Sequence, residues 1–187
     1  MKRLQKAAVL TRLIDELRRR GSWAGETHVQ KAGYLLQEVT GVPLGYDFVL
    51  YHYGPFSFDL RDELTALRAD GLVTLEPHLN YGPKLATTPQ AEKLQKNFER
   101  TLARYGPAIA FVAGKLGSSG VYELEKLATA LHVTKELGED ASVEDRAKRL
   151  TEIKPHINLQ EALKAVRRID RFRTDARQIA ARREAVH

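Results

Sequence analysis

Apolar residues recur along the first twenty positions at helical spacing: Ala7, Leu10, Leu13, Ile14 and Leu17 fall on one face, and Gly21 ends the pattern. A second helix is predicted from Thr27, with Gln30 three residues on in a capping-box arrangement. Val29, Ala32, Gly33, Leu36 and Val39 line its face before Gly41, Pro43 and Gly45 break the chain. Residues 46–53, rich in aromatic and β-branched side chains and closed by Gly54-Pro55, predict a strand with both faces at least partly covered. Ser57 then caps a third helix, whose buried stripe is Leu60, Leu64 and Leu67 and whose stop is Gly71. Short strands at 72–76 and 84–87 flank a turn at 78–83. Thr88 and Pro89 open another helix, striped by Ala91, Leu94, Phe98, Leu102 and Tyr105.

The second half reads as helical throughout. Residues 107–116 are short and apolar, and Val121, Leu124, Leu127, Ala128 and Leu131 define a helix after Ser118-Ser119-Gly120. After a polar loop at 138–142, Ser142 caps residues 143–153. Pro155 separates that helix from a long one starting near Asn158. The expected fold is mainly α with a small β-sheet. It is a winged helix-turn-helix-like core over 1–105, followed by an all-helical extension over 106–187 that ends in a basic amphipathic helix. The strand-like insert between the second and third helices departs from a minimal helix-turn-helix. Leu60, Leu64, Leu67, Leu72 and Leu85 are expected to share one core with Leu10, Leu13, Leu36 and Phe48.

At 187 residues the chain is long enough to bury a core without staples, and it has no cysteine. Disulfides, thiolate chemistry and Cys-based zinc fingers are thereby excluded. No apolar run reaches about 18 residues and the N-terminus lacks an uninterrupted apolar region, so a cytoplasmic protein with no membrane partner is expected. The net charge of +6 is unevenly placed. Residues 1–20 hold seven Lys and Arg against Asp15 and Glu16, and residues 164–187 hold eight against Asp170, Asp175 and Glu184. The body between these two basic ends is mildly acidic.

Val29-Gln30-Lys31-Ala32-Gly33-Tyr34-Leu35-Leu36, then Tyr51-His52-Tyr53-Gly54-Pro55-Phe56-Ser57, then the leucines of the third helix and Gly71-Leu72-Val73, resemble the YwgA-like and SocA-like (Panacea) proteins. These share a "Leu-Gln-Lys … Tyr-Leu" helix and a "Tyr-Gly-Pro-x-Ser" turn before a Leu-rich helix. Glu123-Leu124-Glu125-Lys126-Leu127-Ala128-Thr129 is similar to a later helix of YwgA-like chains. The resemblance implies an antitoxin or adaptor that holds a partner protein, as SocA-like members do. The turn also has a structural explanation, with Gly54 and Pro55 redirecting the chain and Ser57 capping the helix.

Nothing in the chain has the spacing of a catalytic centre. His28, His52, His78, His132, His156 and His187 form no i, i+4 pair, and no phosphate loop, nucleophile elbow or His-Glu metal helix is present. Glu123 and Glu125 are two apart and face different sides of a helix. His52, between Tyr51 and Tyr53, reads as a packed histidine. No enzyme activity, metal or cofactor is expected.

The third helix carries Asp59, Asp62, Glu63 and Asp70 against Arg61 and Arg68, a poor balance for approaching phosphates. The last helix is the stronger signal. Val166, Ile169, Ala176 and Ala180 fall on one side, with Phe172 and Ile179 at its margin, while Lys164, Arg167, Arg168, Arg171 and Arg182 gather opposite. Candidate nucleic-acid-binding residues are these five, Arg18, Arg19 and Arg20 at the first basic end, Arg61 and Arg68, and Lys84 of the hairpin. The leading expectation is a non-enzymatic regulator that binds nucleic acid mainly through its basic terminal helices. The alternative is a SocA-like antitoxin or adaptor whose acidic body grips a protein. Convergence of the two basic ends beside the hairpin would favour the first.

Overall fold

The computed structural model describes residues 1–79, 81–138 and 140–184, with side chains through residue 179. Asn80 of the predicted turn, Glu139 of the predicted polar loop, the side chains of Ala180 and Arg182, and His187 lie outside the described residues. In chain order the elements are α1 (Arg3–Arg19), α2 (Glu26–Thr40), β1 (Val49–Tyr51), β2 (Gly54–Phe56), α3 (Phe58–Ala69), β3 (Val73–Glu76), β4 (Lys84–Thr87), α4 (Pro89–Asn97), α5 (Glu99–Leu116), α6 (Val121–Leu137), α7 (Val143–Ile153) and α8 (Leu159–Glu184). The chain is mainly helical, with two small antiparallel sheets: β1 pairs with β2 and β3 with β4. Among the described residues no helix is long and apolar enough to cross a membrane.

Side-chain caps set the starts of four of the eight described helices. Ser57 Oγ accepts the Leu60 N–H, Thr88 Oγ1 that of Ala91 and Ser142 Oγ that of Asp145, while Asn158 Oδ1 accepts from Glu161. Each cap stabilises its helix by about 1 kcal/mol because it satisfies a donor the helix cannot. The apolar stripes of α1, α2 and α3 meet as expected. Leu60, Leu64, Leu67, Leu72 and Leu85 join Leu10, Leu13 and Leu36 in one buried cluster, with Phe48 packed against it. That cluster continues through Ile109, Leu127 and Phe172, and Tyr105 and Gly106 lie inside α5. Helix α6 is buried without a break from Leu124 to Leu131, the mark of a helix enclosed by others.

Several local expectations need correction. The cap of α2 is Gly25, not Thr27, and Gln30 is used elsewhere. Residues 46–53 are not one covered strand. They contain the short β1, whose Val49 and Tyr51 are about half exposed, and the turn into β2, where His52, expected to be packed, is exposed with its ring against Tyr51; β2 includes Gly54 and Pro55 themselves. Ahead of β1, Val42, Leu44 and Tyr46 are buried in alternation with exposed Gly41, Pro43 and Gly45. No neighbouring strand satisfies this segment, so Gln37 does: its amide donates to the Tyr46 carbonyl and accepts the Tyr46 N–H, both at 2.9 Å.

The last correction concerns α4 and α5. The expected stripe from Ala91 to Tyr105 crosses a break at Phe98, whose backbone leaves the helical region (φ −115, ψ 32). One non-helical residue changes direction without disturbing the apolar period. Both helices lie against α1, where Gln95 is anchored to Asp15 at 2.9 Å. Pro107, expected to start a separate helix, sits within α5. It removes the bond to the carbonyl of Ala103, and both residues are on the exposed side, where water can serve that carbonyl.

Candidate nucleic-acid interface

Residues 29–36, 51–57 and 123–129, on which the expected resemblance rests, meet in space, and several of their polar groups are consumed in holding the fold. The Gln30 amide donates to the Ser57 carbonyl at 2.9 Å and accepts the Ser57 N–H at 3.0 Å. Lys31, 1% exposed, donates to the Pro55 carbonyl at 2.8 Å. Lys154 donates to the carbonyls of Tyr51 and His52. Glu125 of α6 stands between these cations, with Oε1 3.1 Å from the Lys154 ammonium and Oε2 3.3 Å from His156. The turn is therefore pinned from α2, α6 and the α7–α8 connection, which favours its structural reading. Glu123, two residues before Glu125, points outward and pairs with Lys126, as their spacing requires.

Burial pushes the Lys31 amine down to about 8, opposed by the Glu125 carboxylate and reinforced by the Lys154 charge. The unfolded chain holds this proton up to the ordinary lysine value, so the charged form costs stability in the fold at every pH below about 8. That cost fades as the pH rises beyond it. Stability from this group should increase between about pH 8 and pH 9.5, before ionisation of Tyr34 and Tyr46, both raised by burial, opposes it. Thermal melts across that range should show the rise in wild type and lose it in Lys31→Met. A parallel pH dependence in both proteins would refute the assignment.

The candidate cations fall into three environments. Several are committed to carboxylates. Arg18 forks onto Glu76 at 3.0 Å and donates to the Leu85 carbonyl, Arg19 pairs with Glu16 at 2.8 Å, and Arg61 pairs with Asp62 at 3.0 Å. Two gather at the C-terminal end of α5, where the helix dipole attracts positive charge. The Arg20 guanidinium lies so close to Gly114 that a Cβ there would stand 3.0 Å from Nη1, and Arg168 donates to the Lys115 carbonyl at 3.1 Å. The third group faces solvent. Lys164, Arg167 and Arg171 are exposed along one stripe of α8, at i, i+3 and i+7. Three acids of α8 are committed to other groups: Asp170 chelates the buried Arg146 at 2.7 and 2.9 Å, Asp175 pairs with Lys115, and Glu161, which borders the same small cleft as Lys164, pairs with Lys126 at 3.0 Å.

Arg68 borders a half-open cleft of about 600 Å³, and Arg61 borders it as well. Arg61, Leu64, Thr65 and Arg68 present one face of α3 to it. The β3–β4 hairpin contributes Tyr81 and Leu85, and the first turns of α2 and α6 form the opposite wall. Trp23 anchors the hairpin tip, its Nε1 donating to the Gly82 carbonyl at 3.0 Å, and Lys84 lies 4.1 Å from the centre of its ring. His28, in the α2 wall, is held below its ordinary value by burial, with the Ser119 backbone opposing. Sequence reasoning missed Trp23, His28 and Tyr81, because the cleft is assembled from four segments that no local spacing connects. The one available signal was a lone Trp beside glycines in a predicted loop.

One described residue of each basic end, Arg20 and Arg168, reaches the C-terminal end of α5, whereas at the hairpin the arriving cation is Arg18, already paired with Glu76. A second surface is exposed at the β1–β2 hairpin, where the Phe58 ring meets those of Tyr51 and Phe56 edge to face and Tyr53 is 59% exposed. No protein-family model and no curated protein matches the chain.

Proposed function

We propose that this protein is a non-enzymatic regulator that binds nucleic acid through sequence-independent phosphate contacts. The observation that carries the proposal is the α8 stripe of Lys164, Arg167 and Arg171, exposed while Asp170 and Asp175 are occupied elsewhere. Neutralising a phosphate with such a cation releases condensed counterions, which makes binding favourable and salt-sensitive. Arg168 is not part of the stripe, since it caps α5. In this reading α2, α3 and the β3–β4 hairpin form a winged helix-turn-helix, with β1–β2 inserted ahead of the third helix. Glu63 of α3 and Asp70 at its C-terminal cap receive Arg3 and serve the fold, while Asp59 and Asp62 leave α3 a poor helix for entering a groove.

Titration of duplex and single-stranded oligonucleotides over a salt series tests this. Affinity should fall steeply with salt. The triple substitution Lys164→Ala, Arg167→Ala, Arg171→Ala should weaken all sequences alike and lower the log–log slope on duplex by about 2.7, at roughly 0.9 per phosphate contact. No binding at low salt, or unaltered binding by the triple variant, sinks the proposal. The second reading would then lead: an antitoxin or adaptor that holds a protein on the exposed aromatic surface of Tyr51, Tyr53 and Phe58, a composition typical of interface anchors.

A further inference from the structure

We infer that the cleft between α3 and the β3–β4 hairpin seats a nucleoside-phosphate unit, an unstacked base with its phosphate; the inference deepens the nucleic-acid reading and rests on it. The volume of about 600 Å³ lies within the roughly 300–1,000 Å³ of small-ligand sites. Its floor is apolar, with Leu64 and Leu85 both nearly inaccessible, and suits a flat ring. Tyr81 stands at the mouth, 69% exposed, a ring with a free face for stacking. Arg61 and Arg68, two turns apart on α3, flank the floor; Arg68 supplies charge for a phosphate, and Arg61 does so by exchanging its exposed, weakly held partner Asp62 for it.

Charge continuity favours a nucleotide over an uncharged aromatic ligand. Ser119 of the α5–α6 turn lines the cleft and also accepts a hydrogen bond from Arg168, one turn from Lys164. A strand that tracks the α8 stripe thus arrives at the rim of the cleft. Glu26 is the single carboxylate among the described lining residues, placed to accept from the exocyclic amine of a base. A half-enclosed site admits a splayed base and excludes a stacked pair, so the strand that enters is single.

Trp23 lines the cleft and is the chain's sole tryptophan, so its fluorescence reports occupancy directly. The full chain is titrated with CMP and AMP, with a single-stranded oligonucleotide and with a duplex of the same sequence. Trp23 fluorescence and the anisotropy of labelled strands are read together. Single strands should change Trp23 emission saturably and duplex should not. Arg61→Ala with Arg68→Ala should weaken single-strand binding at least tenfold while leaving duplex affinity to the α8 stripe. Thr65→Trp, an exposed helix position turned into the cleft, should block single-strand entry, read by anisotropy because the variant adds a second fluorophore.

The two readings fail separately. Equal binding of single strand and duplex, lost in the α8 triple variant but indifferent to both cleft variants, overturns the cleft inference and leaves the phosphate reading standing. Saturable quenching by CMP or AMP, absent in the double arginine variant, with no oligonucleotide bound at low salt, sustains the cleft as a site for free nucleotides and removes the nucleic-acid reading. Quenching by an acidic peptide and by no nucleotide overturns the inference.

Discussion

Glu125→Gln should lower the free energy of unfolding by about 3–5 kcal/mol, the range observed when one member of a buried ion pair is removed. Glu125 is 3% exposed, and the side chains it faces from α2 and the α7–α8 connection, Lys31 and Lys154, are equally withdrawn from water. With the carboxylate gone, two buried ammonium groups would face each other with carbonyl dipoles as their only compensation. The attraction is mainly Coulombic. Oε1 lies 3.1 Å from the Lys154 Nζ but outside hydrogen-bond geometry, and no other donor reaches it. An amide of the same shape therefore loses the charge and, beyond it, only the charge assistance of the 3.3 Å contact between Oε2 and His156. Urea denaturation should show the loss, and adding Lys31→Met should recover part of it by removing one of the stranded charges. A Glu125→Gln protein within about 1 kcal/mol of wild type would mean that the cluster is solvated and the account wrong.

Gly54→Ala should cost about 2–5 kcal/mol, from two sources that can be separated. Gly54 has φ +82, where a non-glycine residue costs about 1–2 kcal/mol. Its missing Cβ would also stand 2.8 Å from Thr129 Oγ1, and overpacking of that kind costs about 1–3 kcal/mol. Thr129 Oγ1 is buried and has no hydrogen-bond partner among the described residues, so Thr129→Ala removes the obstacle and breaks no bond there. Thr129→Ala alone should be nearly neutral, and the double variant should retain the backbone cost only. The double-mutant cycle measures this coupling, which additivity of the two single effects would disprove. Both predictions concern the point where α6 presses on the β1–β2 turn.

Legibility of the site differed from residue to residue. The α8 stripe could be read from the sequence because exposure on a helix follows its period, and the apolar side of α8 fixes which residues face out. Which basic residues remain uncompensated could not. Arg146 lies 24 positions from Asp170, and Lys115 lies 60 from Asp175. Arg168 has the same helical phase as the stripe to within one position, yet the end of α5 happens to lie beside it. The cleft was beyond sequence reasoning altogether, since its walls come from α2, α3, the β3–β4 hairpin and the α5–α6 turn.

By itself the sequence determined what depends on neighbours within a turn or two. The caps at Ser57, Thr88 and Ser142 form with a backbone N–H three residues away, so composition and order suffice. The leucine stripes of α1 and α3 need only the 3.6-residue period and a preference for leaving water. The tertiary structure decided what depends on groups far apart in the chain. Gln30 looked like the closing residue of a local capping box, but a backbone 27 residues away offered it a donor and an acceptor at once. Residues 46–53 looked like a covered strand, but covering needs a partner surface, and α2 and α6 pack on β2, leaving β1 outside. A local pattern states which faces must leave water and which hydrogen bonds must be made; only packing assigns the groups that meet those demands, because burial and Coulomb energy depend on distance in space and not along the chain.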